Sequence, residues 1–243
     1  MNLLLFDIDG TLLDTGGAGL RALRSAWIEE FRLHEQAESF PPLNLAGSTD
    51  SGIVRSLCDH FAIGHHPELE DRFYARYHTH LEIELSGRGR QDGRLLPGVT
   101  ELLDHLRADA GRHLLGLLTG NIAPGAWTKV ETFGLGGIFA FGAFGDDHHD
   151  RNELGPVAIG RARQHSGRDF PPERTFIIGD TPKDIRCARA CGAWAIAVAT
   201  GAYTAADLAQ HDPDHLFEDF TDPVAFLATI DRLSRSDRVA SPI

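Results

Sequence analysis

Four short apolar runs punctuate the chain, at residues 3–8, 113–119, 175–180 and 194–200, and each is followed by a turn and a helix-like stretch. The runs are continuous rather than alternating: Leu3-Leu4-Leu5-Phe6, Leu114-Leu115-Gly116-Leu117-Leu118 and Phe176-Ile177-Ile178 leave no polar face. A strand of that kind is buried on both sides, so the pattern predicts an α/β fold, a parallel sheet layered between helices. Roughly a hundred residues separate the first run from the second, far more than one strand-to-strand crossover needs. An inserted domain is the economical reading. Within the insert, residues 19–33, 50–61 and 69–85 carry apolar side chains at helical spacing, among them Leu23, Trp27 and Phe31, then Ile53, Leu57 and Phe61. The expected architecture is a core of residues 1–15 and 96–243 with a small all-α domain of residues 16–95 inserted after the first strand. Gly16-Gly17 marks the entry, and a Gly-rich crossing at 87–93 followed by Pro97-Gly98 marks the exit; these are hinges or ordinary turns. Beyond Gly201 one or two more elements are expected, then a tail that frays after Ser234.

Composition narrows the class. With 243 residues, 42% hydrophobic and 24% charged, the chain has the make-up of a folded protein of one or two domains. Its 23 basic and 35 acidic residues give a net charge of -12. That balance opposes nucleic acid and anionic membrane surfaces, so neither is an expected partner. Met1-Asn2 leads straight into the first apolar run, without the pattern of a secretory leader, and no stretch has the length of a membrane span. Three cysteines suit a reducing compartment, and a cytoplasmic location is expected. Cys187 and Cys191 lie four apart and read as packing rather than as half a zinc site.

The chemistry sits where the strands end. Asp7 and Asp9, at i and i+2, close the first run, and Gly10 lets the chain turn there. Asp180 closes the third run, and Pro182 opens a helix that brings Asp184 round beside it. In an open parallel sheet this carboxyl edge is where ligands bind. Carboxylates about 4 Å apart repel by on the order of 4 kcal/mol per pair at an effective dielectric near 20. The cluster therefore calls for a cation, and an all-oxygen set fits Mg2+ better than Zn2+. Asp180 or Asp184 taken alone reads equally well as a helix cap. The second run ends in Thr119-Gly120-Asn121, a hydroxyl and free backbone amides of the kind that hold a phosphate.

Taken together, the stretches Asp7-Ile-Asp-Gly-Thr-Leu-Leu-Asp-Thr15, Leu118-Thr-Gly-Asn121 and Gly179-Asp-Thr-Pro-Lys-Asp184 resemble the first, second and fourth motifs of the haloacid dehalogenase superfamily. The resemblance implies a Rossmann-like core with a helical cap, as in phosphoglycolate phosphatases and β-phosphoglucomutases. By that similarity Asp7 is a nucleophile forming an aspartyl-phosphate, Asp9 is general acid then base, and Thr119 with Gly120 and Asn121 binds the phosphoryl group. Asp7, the backbone carbonyl of Asp9, and Asp180 would hold Mg2+, with Asp184 as a further ligand or an orienting group. The third motif, a cation that touches nucleophile and phosphate, falls on Arg151 or on Lys129, with Arg151 preferred because helix lysines are usually solvated.

The implied function is a Mg2+-dependent phosphatase of a small phosphorylated metabolite. A sugar phosphomutase is the nearest rival and a silent binding protein on the same fold the distant one. A dehalogenase is disfavoured by the carboxylate two residues after the nucleophile. In the insert, Ala46-Gly-Ser-Thr-Asp50 resembles the substrate-facing loop of relatives but lacks the Arg or Lys often found there. His148-His149 amid Asp146, Asp147 and Asp150 reads as a polar rim rather than a metal cluster, and His78 and His80 as surface residues.

Overall fold

The structure is a computed structural model that describes residues 1–31, 45–109 and 111–236. Eight strands and ten helices are described: β1 Asn2–Phe6, β2 Leu13–Asp14, α1 Ala18–Phe31, α2 Asp50–His60, α3 Pro67–Ser86, α4 Arg88–Asp92, β3 Arg94–Leu95, α5 Val99–Ala108, β4 His113–Leu118, α6 Ala123–Thr132, β5 Gly142–Ala143, α7 Leu154–Ser166, β6 Thr175–Gly179, α8 Pro182–Ala190, β7 Trp194–Val198, α9 Ala205–Ala209, β8 His215–Phe217 and α10 Pro223–Leu233. Six strands form one parallel sheet in the order β5-β4-β1-β6-β7-β8. The first strand is central: Phe6 is level with Leu117 on one neighbour and with Ile178 on the other.

Alternation along β1 sorts its side chains between two apolar layers. Leu4 and Phe6 join Leu117, Ile178 and Ile196 under α5, α6 and α10. Leu3 and Leu5 join Ile177, Ala195 and Ala197 under α7 and α8. Both faces are therefore covered, which is why the runs are apolar without a break. The strands stop a residue or two short of the expected ends, at Phe6, Leu118, Gly179 and Val198. The residues that follow leave the ladder for the loops, which frees Asp7, Thr119 and Asp180 to face a common edge.

Helices α1, α2 and α3 bury a third apolar cluster of their own around Trp27, Leu57, Phe73 and Tyr77. Trp27 meets Phe73 edge-on with ring centres 5.8 Å apart. Outside it, Glu30 is paired with Arg76 at 2.7 Å and Arg72 at 2.9 Å. The chain enters and leaves this bundle through a two-stranded antiparallel ribbon in which Leu13 faces Leu95 and Asp14 faces Arg94. The Gly-rich crossing expected at 87–93 is a correction: residues Arg88–Asp92 form a helix, closed by Gly93 N–H on the Gly89 carbonyl at 3.0 Å.

A second correction concerns the segment after Gly201, which holds three elements rather than one or two. One of them is β8, whose His-Leu-Phe is too short and too half-buried to register as an apolar run. The expected tail beyond residue 236, and the positions after 31 in the first helix of the insert, lie outside the described residues. Among the described residues no helix is long and apolar enough to cross a membrane.

Phe226 of α10 is fully buried and sits on Phe6, Phe217 and Phe220 with ring centres 6.4, 5.5 and 5.7 Å away. Phe226→Ala is expected to cost about 3–5 kcal/mol in urea unfolding. Val224→Ala, two residues earlier on the exposed face, is expected to stay within about 0.5 kcal/mol.

Candidate active site

The carboxyl ends of β4, β1 and β6 converge on one cavity of about 290 Å3, lined by Asp7, Asp9, Thr119, Asn121, Lys129 and Asp180 from the sheet side. Asp7 is fixed through its backbone, whose N–H donates to the Ile178 carbonyl at 2.9 Å. Asp180 accepts the Thr11 hydroxyl at 3.1 Å. Gly10 is required between them: it adopts φ 82°, and a Cβ there would lie 2.4 Å from Asp180 Oδ2. Asp184 is locked at the start of α8, its Oδ2 accepting the Thr181 amide at 3.0 Å and hydroxyl at 2.6 Å.

Asp7, Asp180 and Asp184 are all buried, with one oxygen of each lying within 4.8 Å of the others, and no other such grouping of metal-binding side chains occurs among the described residues. Arg151 stands against them, bonded to Asp184 and 3.1 Å from Asp7 Oδ2. Burial pushes Asp7 up to about 6, against the pull of Arg151, with Asp184 and Asp9 adding to the rise. Burial, then Asp7 and Asp184, raises Asp180 well above the usual carboxylate range. Three carboxylates against one guanidinium leave two uncompensated negative charges when all are ionised. A hard divalent cation on oxygen ligands suits that balance and that donor set.

The second half of the site is a hydrogen-bonded row. Lys129 is 3% exposed, not solvated as expected for a helix lysine, and its ammonium reaches Asp9 Oδ1 at 2.8 Å, Oδ2 at 2.6 Å and Asn121 Oδ1 at 2.6 Å. Asn121 Nδ2 donates to Asp9 Oδ2 and to Thr119 Oγ1, both at 2.8 Å. Both cations considered for the third motif thus lie in the site with separate partners: Arg151 faces Asp7 and Lys129 faces Asp9.

The loop before α2 is docked directly on this row. The Asp50 amide donates to the Gly120 carbonyl at 2.7 Å, and Asp50 Oδ2 accepts the Ile122 amide at 2.8 Å. The approach is so close that a Cβ on Gly120 would lie 1.9 Å from the Ser48 carbonyl oxygen. Thr49 and Ser51 hydroxyls donate to the His149 and Gly145 carbonyls at 2.6 and 2.5 Å. Asp50 was legible in the sequence only as part of a loop; nothing local distinguishes a buried docking carboxyl from a helix-starting one.

Other expectations fare variously. The rings of His148 and His149 stack 4.5 Å apart, and His148 Nδ1 accepts the Asp150 amide at 3.0 Å. His78 and His80 are half-buried rather than simply superficial: His78 Nε2 meets Thr128 Oγ1 on α6 and His80 Nε2 meets Glu29, both at 2.8 Å. Cys187 is buried, its thiol on the Arg151 carbonyl at 3.2 Å.

Comparison with known proteins places these features in context. The family model for haloacid dehalogenase-like hydrolases matches residues 4–189. A phosphoglycolate phosphatase of Nitrosococcus oceani is 24% identical, with 89% of this chain and 92% of that protein aligned. One from Agrobacterium fabrum is 28% identical over 90% and 88%. The crystal structure of CbbY from Rhodobacter sphaeroides in complex with phosphate superposes with a TM-score of 0.67 at 21% identity, covering 95% of this chain and 100% of that one.

Asp50 gives the site a pH signature. Burial pushes its carboxyl up to about 7 from an ordinary value of 3.8, opposed by the Ile122 amide and Lys129. Between those values the unfolded chain releases the proton that the folded chain keeps, so stability falls as pH rises through this window and is flat above it. Asp50→Asn is therefore expected to be more stable than the parent at pH 8 by on the order of 3 kcal/mol and to match it within about 1 kcal/mol at pH 4, read from urea midpoints. An equal offset at both values would show that Asp50 is ionised in the folded protein throughout.

Proposed function

The chain belongs to the haloacid dehalogenase-like hydrolase family, and from that premise we propose that it is a Mg2+-dependent phosphatase that removes the phosphoryl group of a small phosphomonoester through an aspartyl-phosphate on Asp7. The observation that carries the reading is the meeting of Asp7, Asp9, Thr119 and Asp180 around one cavity of about 290 Å3, with Asp184 grouped beside Asp7 and Asp180, room for a small ester and little more.

In the first step an Asp7 carboxylate oxygen attacks phosphorus, the phosphorus–oxygen ester bond breaks, and the leaving oxygen takes a proton from Asp9. In the second, water attacks the aspartyl-phosphate, Asp9 takes back a proton, and inorganic phosphate leaves with Asp7 restored. Arg151 orients Asp7 from the far side, through the contact that also holds Asp184. Lys129 and Asn121 hold Asp9, whose side chain is 41% exposed and the most accessible of the acids, facing the leaving group. Thr119 and the amides that follow it receive the phosphoryl oxygens. Asp7, the Asp9 carbonyl, Asp180 and Asp184 would hold Mg2+, which when bound neutralises charge on the phosphoryl oxygens. The helices of residues 16–95 act as a cap that closes the cavity from above through Leu20, Leu23 and Tyr77 and excludes bulk water from the intermediate.

The test is release of inorganic phosphate from a panel of small phosphomonoesters, with Mg2+ or with EDTA. Release by the wild type is expected to require Mg2+ and to drop by about 10³-fold or more in Asp7→Asn. Lys129→Met, which loosens Asp9, is expected to lower kcat/KM by about 10²-fold. Asp7→Asn turning over at a tenth of the wild-type rate would sink the covalent route, and phosphate exchange within a hexose phosphate without net release would make the enzyme a mutase.

A further inference from the structure

A second cavity, of about 550 Å3, lies on the other side of the Gly47–Thr49 loop from the catalytic one. The two share Gly47, Ser48, Ile53 and Arg151 as a common wall. The wall is tied down on both sides: Arg151 Nη1 donates to the Gly47 carbonyl at 3.3 Å, and the Lys183 ammonium donates to the Ser48 hydroxyl. Opposite stand Arg186, Ser56 and Asn152.

Cations outnumber acids in its lining, with Arg151, Lys183 and Arg186 against Asp150. Lys183 and Arg186 occupy the first turns of α8, where the partial positive charge of a helix start makes a cation unfavourable. The start of α2 lines the same cavity through Thr49, Gly52 and Ile53, with the Gly52 amide already bonded to Thr49 Oγ1 at 3.1 Å, so the cations of α8 supply the charge. Among the described residues neither Lys183 nor Arg186 is paired with a carboxylate, and the bond shown for Lys183 is to a neutral hydroxyl. Arg151 spends its charge on Asp7 and Asp184, and its Nε is buried without a partner. The one acid in the lining, Asp150, accepts the Asn152 amide at 3.0 Å. In a chain of net charge -12, such a concentration of unanswered positive charge is a local device rather than a by-product of composition.

We propose that this cavity is a second oxyanion site, one that takes inorganic phosphate or the phosphate-like anionic end of a small molecule between Lys183 and Arg186. Occupancy exchanges the Lys183–Ser48 hydroxyl bond for a charge-assisted one. It thereby acts on the same loop that carries Asp50 and closes the catalytic cavity.

Titration calorimetry of the full chain with inorganic phosphate in the presence of Mg2+ tests the site directly, without reference to turnover. Two equivalents are expected for the wild type and one for the Lys183→Gln/Arg186→Gln pair. Arg186→Glu, which alters an exposed side chain and spares the fold, is expected to weaken the second event at least about tenfold. One equivalent in the wild type, or two with unchanged affinities in both variants, would overturn the proposal. Two kinetic arms separate the sources of the anion. If it is free phosphate, added phosphate lowers kcat for an ester without a second anionic group, and Arg186→Glu abolishes that effect. If it is the substrate's own anionic end, Arg186→Glu raises KM about tenfold for an ester that carries such a group, relative to a matched ester that lacks it. Absence of turnover in both arms would count against the phosphatase reading, while the two calorimetric equivalents would stand.

Discussion

The contact between Arg151 and the carboxylates of Asp7 and Asp184 is what the rest of the site depends on. Three acids are brought together, buried, at the end of a mostly apolar sheet, so water does little to relieve their repulsion. A single guanidinium, itself 5% exposed, spans two of them and reaches back to the Leu118 carbonyl at 3.4 Å. Removing it would leave buried carboxylates unpaired, which costs far more than a surface charge can. The arrangement still falls short of neutrality, and that shortfall is useful. A divalent cation among these oxygens would cancel it.

Arg151 also links the two levels of the molecule. Its backbone carbonyl accepts the Cys187 thiol, its Nη2 holds the acids, and its Nη1 reaches the Gly47 carbonyl in the loop before α2. The helical insert is therefore not merely laid over the core. It is fastened to the core beside the candidate site, by Asp50 on Gly120 and Ile122 and by Thr49 and Ser51 on the loop at 145–149. An opening motion of the insert must break this set together while the ribbon of β2 and β3 keeps the two ends of the insert in register.

Much of this was legible in the sequence because strand ends are legible. Apolar runs that stop at Asp7, Thr119 and Asp180 announce both a buried parallel sheet and the edge at which its loops meet, and topology then brings them together without further information. Lys129 shows the limit. Its local sequence is that of a helix surface, and only the packing of α6 against the cavity turns its side chain inward to Asp9 and Asn121. Asp50 shows the same limit for the insert, since its partners are some 70 residues away, in Gly120 and Ile122, and no local pattern encodes a contact across that interval. The elements that were misjudged, α4 and β8, are short and owe their form to tertiary context rather than to periodicity.

Acidic overall charge and an anionic substrate are reconciled by where the positive charge is kept. Arg151 and Lys129 are both almost wholly buried, and each is committed to an acid at the cavity floor. Buried pairs of this kind are screened little by salt, so the site holds its geometry across ionic strengths at which surface pairs fade. Lys183 and Arg186 differ in being nearer to solvent and uncommitted to any carboxylate, on the far side of the same loop. The molecule thus keeps two kinds of cation within one neighbourhood: those that shape the carboxylates, and those free to meet an anion. That division would let a strongly acidic protein meet an anionic ligand without giving up its buried acid cluster.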